Sequence, residues 1–225
     1  DGDIIEDVEI RWYRDGVRVS AFNDEQTVDP SFTSKGETWY SQVRVFDGLV
    51  WSEWFETDSV LIGNTPPVVT SISMLPDGSL TTSTDLSVVW EQTDIDGDQE
   101  SGSQIRWWVD GEWVRDYDDM TTIPSSLTIR DQHWSVQVLP GDGESLGSSM
   151  KTTSRSIDNA PPSAPEVSLE NTPVGNMMEH PDSLSDMIVV AVSSDPDGEP
   201  ISYTYKWSRN GFHVPDLDGQ SVVDQ

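Results

Sequence analysis

The stretch Ser103-Gln-Ile-Arg-Trp-Trp-Val-Asp-Gly-Glu-Trp-Val-Arg115 reads as a strand, a tight turn and a returning strand. Ile105, Trp107 and Val109 fall on one face and Arg106 and Trp108 on the other, the period-two alternation of a half-buried strand. Asp110-Gly111 is a two-residue hairpin signal, leading back through Glu112–Arg115. The pattern extends on both sides. Val68–Leu75 reads as a strand ended by Pro76-Asp-Gly78, and Leu86–Gln92 as a second with Leu86, Val88 and Trp90 on one face. After Leu127 and Ile129, the residues Trp134, Val136 and Val138 alternate again, and Gly141-Asp-Gly143 turns the chain into a last strand ending near Ile157. Short alternating runs between turn residues, with no helical periodicity, predict an all-β sandwich.

Working outward, the chain repeats itself. Trp12 returns as Trp107, Trp39 as Trp134, Asp47-Gly48 as Asp142-Gly143 and Asn64-Thr-Pro-Pro67 as Asn159-Ala-Pro-Pro162, each pair 95 positions apart. A third, slightly longer copy follows: Asp195-Pro-Asp-Gly198 echoes Asp94-Ile-Asp-Gly97, and Trp207-Ser-Arg-Asn-Gly211 echoes Trp107-Trp-Val-Asp-Gly111. A fixed period signals an array of similar units. Residues 68–162 are expected to be a complete immunoglobulin-like repeat, with Trp107 as its buried core tryptophan. Residues 1–67 read as the C-terminal part of one repeat and 163–225 as the N-terminal part of another. Two explanations stand for these ends: a window from a longer polypeptide, or complementary halves that complete each other between chains. The linkers Asn64-Thr-Pro-Pro67 and Asp158-Asn-Ala-Pro-Pro162 favour extended, semi-rigid joints. The expected fold class is thus all-β: tandem immunoglobulin-like β-sandwiches of about 95 residues joined by Pro-rich linkers.

The formal charge is −29, and such a surface repels nucleic acid and anionic membranes. A solvated surface suited to salty water, a scaffold for divalent cations and simple solubility all fit it. Ten tryptophans are too many for a disordered chain. With no cysteine, core packing, with or without help from metal, must stabilise each unit. No stretch reaches transmembrane length, so no membrane insertion is expected in this segment.

Several phrases recur together: Asp-x-Asp-Gly-Asp, Arg-Trp-x-x-Asp-Gly, Ser34-Lys-Gly-Glu-Thr-Trp39, Val43-Arg-Val-Phe-Asp-Gly48 and Asn-Thr-Pro-Pro. Together they resemble the tandem immunoglobulin-like repeats of very large surface proteins of archaea and some bacteria, related in style to PKD-type, fibronectin type III and cadherin-like modules. The resemblance spans essentially the whole chain. It implies an extracellular or cell-surface setting and roles as stalk, adhesin, surface-layer component or filament subunit. The second copy departs from the pattern at Arg130-Asp-Gln-His-Trp134, which puts the tight turn there in doubt.

Asp94-Ile-Asp96-Gly97-Asp98 sets three carboxylates at alternating positions around a glycine, and such a loop can converge on Ca²⁺, which takes six to eight oxygen ligands. The third copy offers Asp195, Asp197 and Glu199, and the first only Asp1 and Asp3. In an immunoglobulin-like unit the loop after the second strand and the loop before the last strand share one end, where the incoming linker also arrives. That expectation brings Asp94, Asp96 and Asp98 near Asp142 and Asn64, and the third copy's acids near Asp158 and Asn159. Asp158-Asn-Ala-Pro is similar to the interdomain linker of cadherins, where calcium stiffens the joint. The competing reading is a solvated acidic turn, since Asp and Gly dominate turns in any case.

Trp51-Ser-Glu-Trp54 resembles the Trp-Ser-x-Trp-Ser box of cytokine-receptor fibronectin modules, in which Arg side chains stack between the rings. Arg44 is the outward-facing candidate, with Arg11 and Arg14 as others. Trp54, Trp108 and Trp113 are candidate partner-binding residues, for surface glycans or for neighbouring subunits, while Trp12, Trp39, Trp90, Trp107, Trp134 and Trp207 read as core. His133, His180 and His213 recur at no common repeat position, and no nucleophile or phosphate-loop motif is present. The chain therefore reads as non-enzymatic. Its expected partners are copies of itself or neighbouring repeats.

Overall fold

The computed structural model describes residues 4–171 and 186–223; Asp1, Asp3 and His180 lie outside them. Among the described residues every regular element is a β-strand or a single 3₁₀ turn, so the chain is all-β. In the first segment β1 (Asp7–Arg14) is edged by β2 (Val17–Arg18) and pairs antiparallel along its length with β3 (Thr38–Phe46). Two short strands, β4 (Phe55–Glu56) and β5 (Val60–Leu61), add to the far side of β3.

The next strands build two sheets. They are β6 (Val68–Leu75), β7 (Leu80–Thr81), β8 (Leu86–Thr93), β9 (Gln104–Val109), β10 (Glu112–Trp113), β11 (Thr122–Ile123), β12 (His133–Leu139), β13 (Met150–Lys151) and β14 (Arg155–Asp158). One sheet runs β11-β8-β6 and the other β10-β9-β12-β14-β7, with β13 also on β12. Pairing is antiparallel except between β7 and β14. The chain thus starts in one sheet and crosses to the edge of the other, the strand order of an immunoglobulin-like sandwich. A third group repeats the start of that order: β15 (Glu166–Asn171) and β19 (Val222–Val223) flank β16 (Met187–Val192), beside a hairpin of β17 (Ser208–Arg209) and β18 (Phe212–His213).

The core of the complete copy lies between its sheets: Val69, Met74, Leu86, Val88 and Ile123 from one, Leu80, Ile105, Trp107, Trp134, Val136, Val138 and Ile157 from the other. Trp107 and Trp134 are fully buried and meet edge to face with ring centroids 6.2 Å apart, a contact worth about 0.5–1.5 kcal/mol beyond area burial. Trp12 and Trp39 repeat that geometry at 6.4 Å in the first segment. The first tryptophan of each copy also donates its indole N–H to a carbonyl: Trp12 to Glu25, Trp107 to Met120 and Trp207 to Gln220. Trp12, Trp90 and Trp207 are half-buried, not fully enclosed. Trp12 and Trp207 lie in segments with fewer covering strands, and Trp90 sits towards the end of β8.

The hairpin takes positive φ at both turn residues, Asp110 at 51° and Gly111 at 87°, and the same pair recurs at Asp15-Gly16 and Asn210-Gly211. The return strand ends sooner than its sequence suggests, at Trp113, and gives way to a 3₁₀ turn over Arg115–Tyr117. The turn before β12 survives the loss of its glycine. Asp131 takes φ 68° where Gly36 takes 85°, and each donates its amide to the last strand, Gly36 to Ile62 and Asp131 to Ile157. Aspartate tolerates this left-handed conformation better than most residues. Glu37 and Gln132 brace the two turns alike. One oxygen of Glu37 accepts from Ser34 N and Trp39 Nε1, and that of Gln132 from Ile129 N and Trp134 Nε1.

Arg155 closes the crossing between sheets: its guanidinium donates to the carbonyls of Met74, Pro76 and Gly78. Arg155→Met strands these acceptors and should destabilise the complete copy by about 1–3 kcal/mol, the cost of leaving polar groups unpaired; chemical denaturation followed by Trp fluorescence checks it, and an unchanged midpoint would refute the clamp. The two braced turns should differ in acid. The Trp39 indole, then the Ser34 amide, hold the Glu37 carboxyl below its usual range. Its stabilising contribution is therefore complete above about pH 4.3, the ordinary glutamate value, and is lost as pH falls through the lower folded value. The Trp39 indole N–H resonance should move over that window while that of Trp134, held by the neutral Gln132, responds far less.

Candidate metal centre

The acidic loop after β8 is folded by its own first residue. Asp94 Oδ1 accepts from the amides of Asp96 at 2.8 Å and Asp98 at 3.3 Å, with Gly97 at φ 82° making the bend. The third copy builds the same loop, Asp195 Oδ1 accepting from Asp197 N and Glu199 N. With the first oxygen used in this way, the remaining carboxylates of the loop are free to face outward.

The loop after β12 meets it from the side. Asp142 Oδ1 accepts from Glu144 N and Ser145 N, both at 2.7 Å, and its Oδ2 from Asn64 Nδ2 at 2.7 Å and Ser145 Oγ at 3.1 Å. The Asn64 amide, then the Ser145 amide, hold the Asp142 carboxyl far below the usual carboxylate range. Asp94, Asp98 and Asp142 each offer an oxygen within 4.8 Å of the others, and all three are half-buried. Beside them Asp94 Oδ2 and Asn64 Oδ1 are buried with no hydrogen-bond partner. A buried carboxylate oxygen without a donor is costly, and such groups commonly mark a bound ion or water. Carboxylate and amide oxygens are the ligand set a hard cation takes.

The linker and the preceding segment also reach this end. Thr65 N donates to Asp96 Oδ2 at 2.6 Å, and Lys35 Nζ lies 2.8 Å from Asp98 Oδ2 and 2.6 Å from Glu144 Oε1. At the second joint Ala160 N donates to Asp197 Oδ2 at 2.8 Å, and Arg130 pairs with Glu199 and with Asn159 Oδ1. Asp158 stands apart. Its carboxylate is met by Ser156 Oγ at 3.5 Å, and its carbonyl accepts from Thr82. The pairing of Lys35 and Arg130 carries no motif signal, although both stand in the repeated phrase before the central strand, at the same repeat position in a chain with only twelve Lys and Arg.

Trp54, Trp108 and Trp113 are half-buried, and each carries a cation over its ring. Arg11 lies 3.8 Å from the Trp54 centroid, with Arg44 between Trp51 and Trp54 at 4.4 and 4.7 Å. Arg14 sits over Trp39 instead. Lys151 covers Trp108 at 3.5 Å, and Arg106 and Arg115 flank Trp113 at 4.8 and 4.7 Å. Burial lowers the Lys151 amine below its usual range. Trp113 also donates to Asp118 Oδ1, and that tie recurs as Arg18 to Asn23 and as His213 with Asp218 at 2.8 Å. The His213–Asp218 pair is therefore one version of a hairpin fastening found in all three copies. His133, 3.7 Å from Asp110, is exposed, as is His213.

No protein-family model matches this chain, and no curated protein matches it. Among solved structures it is similar to the chicken CNTN1 FN1-FN3 domains, with 13% identity, a TM-score of 0.32 and coverage of 67% of this chain. It spans 56% of that chain. It is also similar to the chicken interferon gamma receptor alpha chain, with 10% identity, a TM-score of 0.34 and coverage of 70% of this chain and 89% of that one. The fold assignment stands on the strand order described above. No helix among the described residues is long and apolar enough to cross a membrane.

Asn64→Ala removes the first of the groups that depress Asp142. Its carboxyl should then titrate nearer the ordinary aspartate value of about 3.9. The Asp142 contribution to stability, complete above that value and lost below it, should fade at higher pH than in the parent. Side-chain carboxyl NMR reads this directly; an unmoved titration would assign the depression to the Ser145 and Glu144 donors.

Proposed function

We propose that this chain is a non-enzymatic stretch of an extracellular structural repeat protein, a surface stalk or filament subunit whose joints are stiffened by calcium. The observation that carries the reading is the pair of orphaned buried oxygens, Asp94 Oδ2 and Asn64 Oδ1, beside the converging Asp94, Asp98 and Asp142 carboxylates. One oxygen belongs to the repeat body and the other to the linker entering it, so a cation bound by both ties the two together. Asp96 already holds the linker amide at Thr65. Asp195, Asp197 and Glu199, with Asn159 in the linker, are the corresponding candidates at the second joint, and Asp1 and Asp3 at the start of the chain.

The mechanism is mechanical. Paired prolines limit bending at the linker, the ion fixes the angle, and the net charge of −29 keeps the array solvated and apart from nucleic acid and anionic membranes. Trp54, Trp108 and Trp113 serve contacts with neighbouring repeats or with other copies of the chain. Sugar stacking, the basis of an adhesin or carbohydrate-binding reading, finds less support because a cation already sits on each ring.

Thermal melts of the full chain in calcium and in chelator, beside Asp94→Asn and Asp98→Asn, test the metal. Calcium at a hundredfold its dissociation constant adds about 2.7 kcal/mol to the folded state. The expected result is a rise in Tm with calcium that both variants lose. Identical melts in calcium and chelator would sink the metal and leave the loop as a hydrogen-bonded turn.

A further inference from the structure

We infer that Lys35 and Arg130 are equivalent clasp residues: each repeat reaches forward from the turn before its central strand and grips the acidic loop of the next repeat, so that the joint is oriented by protein contacts as well as by any ion. This rests on the tandem-array reading and not on calcium.

The two residues are 95 positions apart, and their contacts match. Lys35 pairs with Asp98, the last carboxylate of its loop, and Arg130 with Glu199, the last carboxylate of the next loop. The linker residues Thr65 and Ala160, also 95 apart, donate their amides to the middle carboxylates Asp96 and Asp197. Lysine with aspartate at one joint becomes arginine with glutamate at the other. The residues change, but the charge pairing and the place stay the same. Two joints with different side chains arriving at one arrangement argue for a selected interface over a chance surface pair.

The geometry makes the clasp an orienting device. Each basic residue sits on a turn tied to the strand that leads into the linker, through Gly36 N to Ile62 O and Asp131 N to Ile157 O, both 2.9 Å. The clasp and the linker amide therefore hold the acidic loop at two separate points, and two points restrain rotation where one allows a swivel. Partly exposed ion pairs add little to stability, whereas charge complementarity sets orientation and register. Lys35 also reaches Glu144 from the neighbouring loop, so the first joint's clasp spans both acidic loops of the next repeat.

Because the chain has no cysteine, introduced pairs can be spin-labelled cleanly. Val17→Cys with Glu112→Cys reports the first joint, and Glu112→Cys with Phe212→Cys the second; all three sites are exposed hairpin positions. Distance distributions are measured by pulsed electron paramagnetic resonance on the full chain in chelator, where charge reversal is scored, and for the parent also with calcium. Lys35→Glu should broaden the first distribution at least twofold and leave the second unchanged. Adding Asp98→Lys should narrow it again. Arg130→Glu, alone and with Glu199→Arg, should do the same at the second joint. A parent distribution that is broad in chelator and narrows only with calcium would overturn the clasp and assign stiffness to the metal. A narrow distribution indifferent to charge reversal would overturn it too, leaving the prolines to set the joint.

Discussion

Everything at the end of each repeat depends on how one aspartate divides its two oxygens. Asp94 spends Oδ1 on the amides of Asp96 and Asp98, which curls the loop and turns its other carboxylates outward in different directions. Asp96 then meets the linker, Asp98 meets Lys35, and Asp94 Oδ2 is left buried beside Asp142 without a donor. Asp195 repeats the first of these steps in the third copy. An asparagine could accept the same two amide bonds, but its second position would be an N–H₂ group, which donates to neighbouring carboxylates and cannot ligate a cation. The linker's hold on the next repeat thus follows from local turn chemistry.

The few cations are used with the same economy. In a chain with 41 acidic residues and twelve Lys and Arg, most of the basic side chains are engaged by other groups of the chain. Arg11 and Arg44 lie on the Trp51–Trp54 pair, Arg106, Arg115 and Lys151 on Trp108 and Trp113, and Arg155 on three carbonyls. Arg14 bridges to Glu37, and Lys35 and Arg130 hold the joints. Cations committed to these contacts leave the outer surface strongly negative. Ionic strength therefore acts in two directions, screening repulsion across the surface while leaving short, partly buried pairs comparatively intact.

The strands with clear alternation were legible from sequence. Val68–Leu75 is a strand with the bounds its pattern implies, and Ile105, Trp107, Trp134, Val136 and Val138 point inward as their spacing requires. The shared end of Asp94, Asp98 and Asp142 follows from sandwich topology, which puts the loops after β8 and β12 together. Other features carry no periodic signal. Leu80–Thr81 is too short to show alternation, so its crossing to β14 could not be read. Glycine spacing puts the turn at Arg130-Asp131 in doubt, because the rule registers residue type and not the tolerance of aspartate for positive φ. The pairing of Lys35 with Asp98 spans 63 positions, and only the comparison of two joints distinguishes it from an ordinary surface lysine.

The parallel pairing of β7 with β14 decides how the complete copy answers tension. β7 is joined to the entering linker through the length of β6, and β14 runs into the leaving one, with Ile157 and Asp158 beside Leu80 and Thr81 in the same direction. A pull between the two linkers drags these neighbours past each other lengthwise. Their hydrogen bonds are loaded together, in shear, where an antiparallel edge pulled from one end would open one bond at a time like a zip.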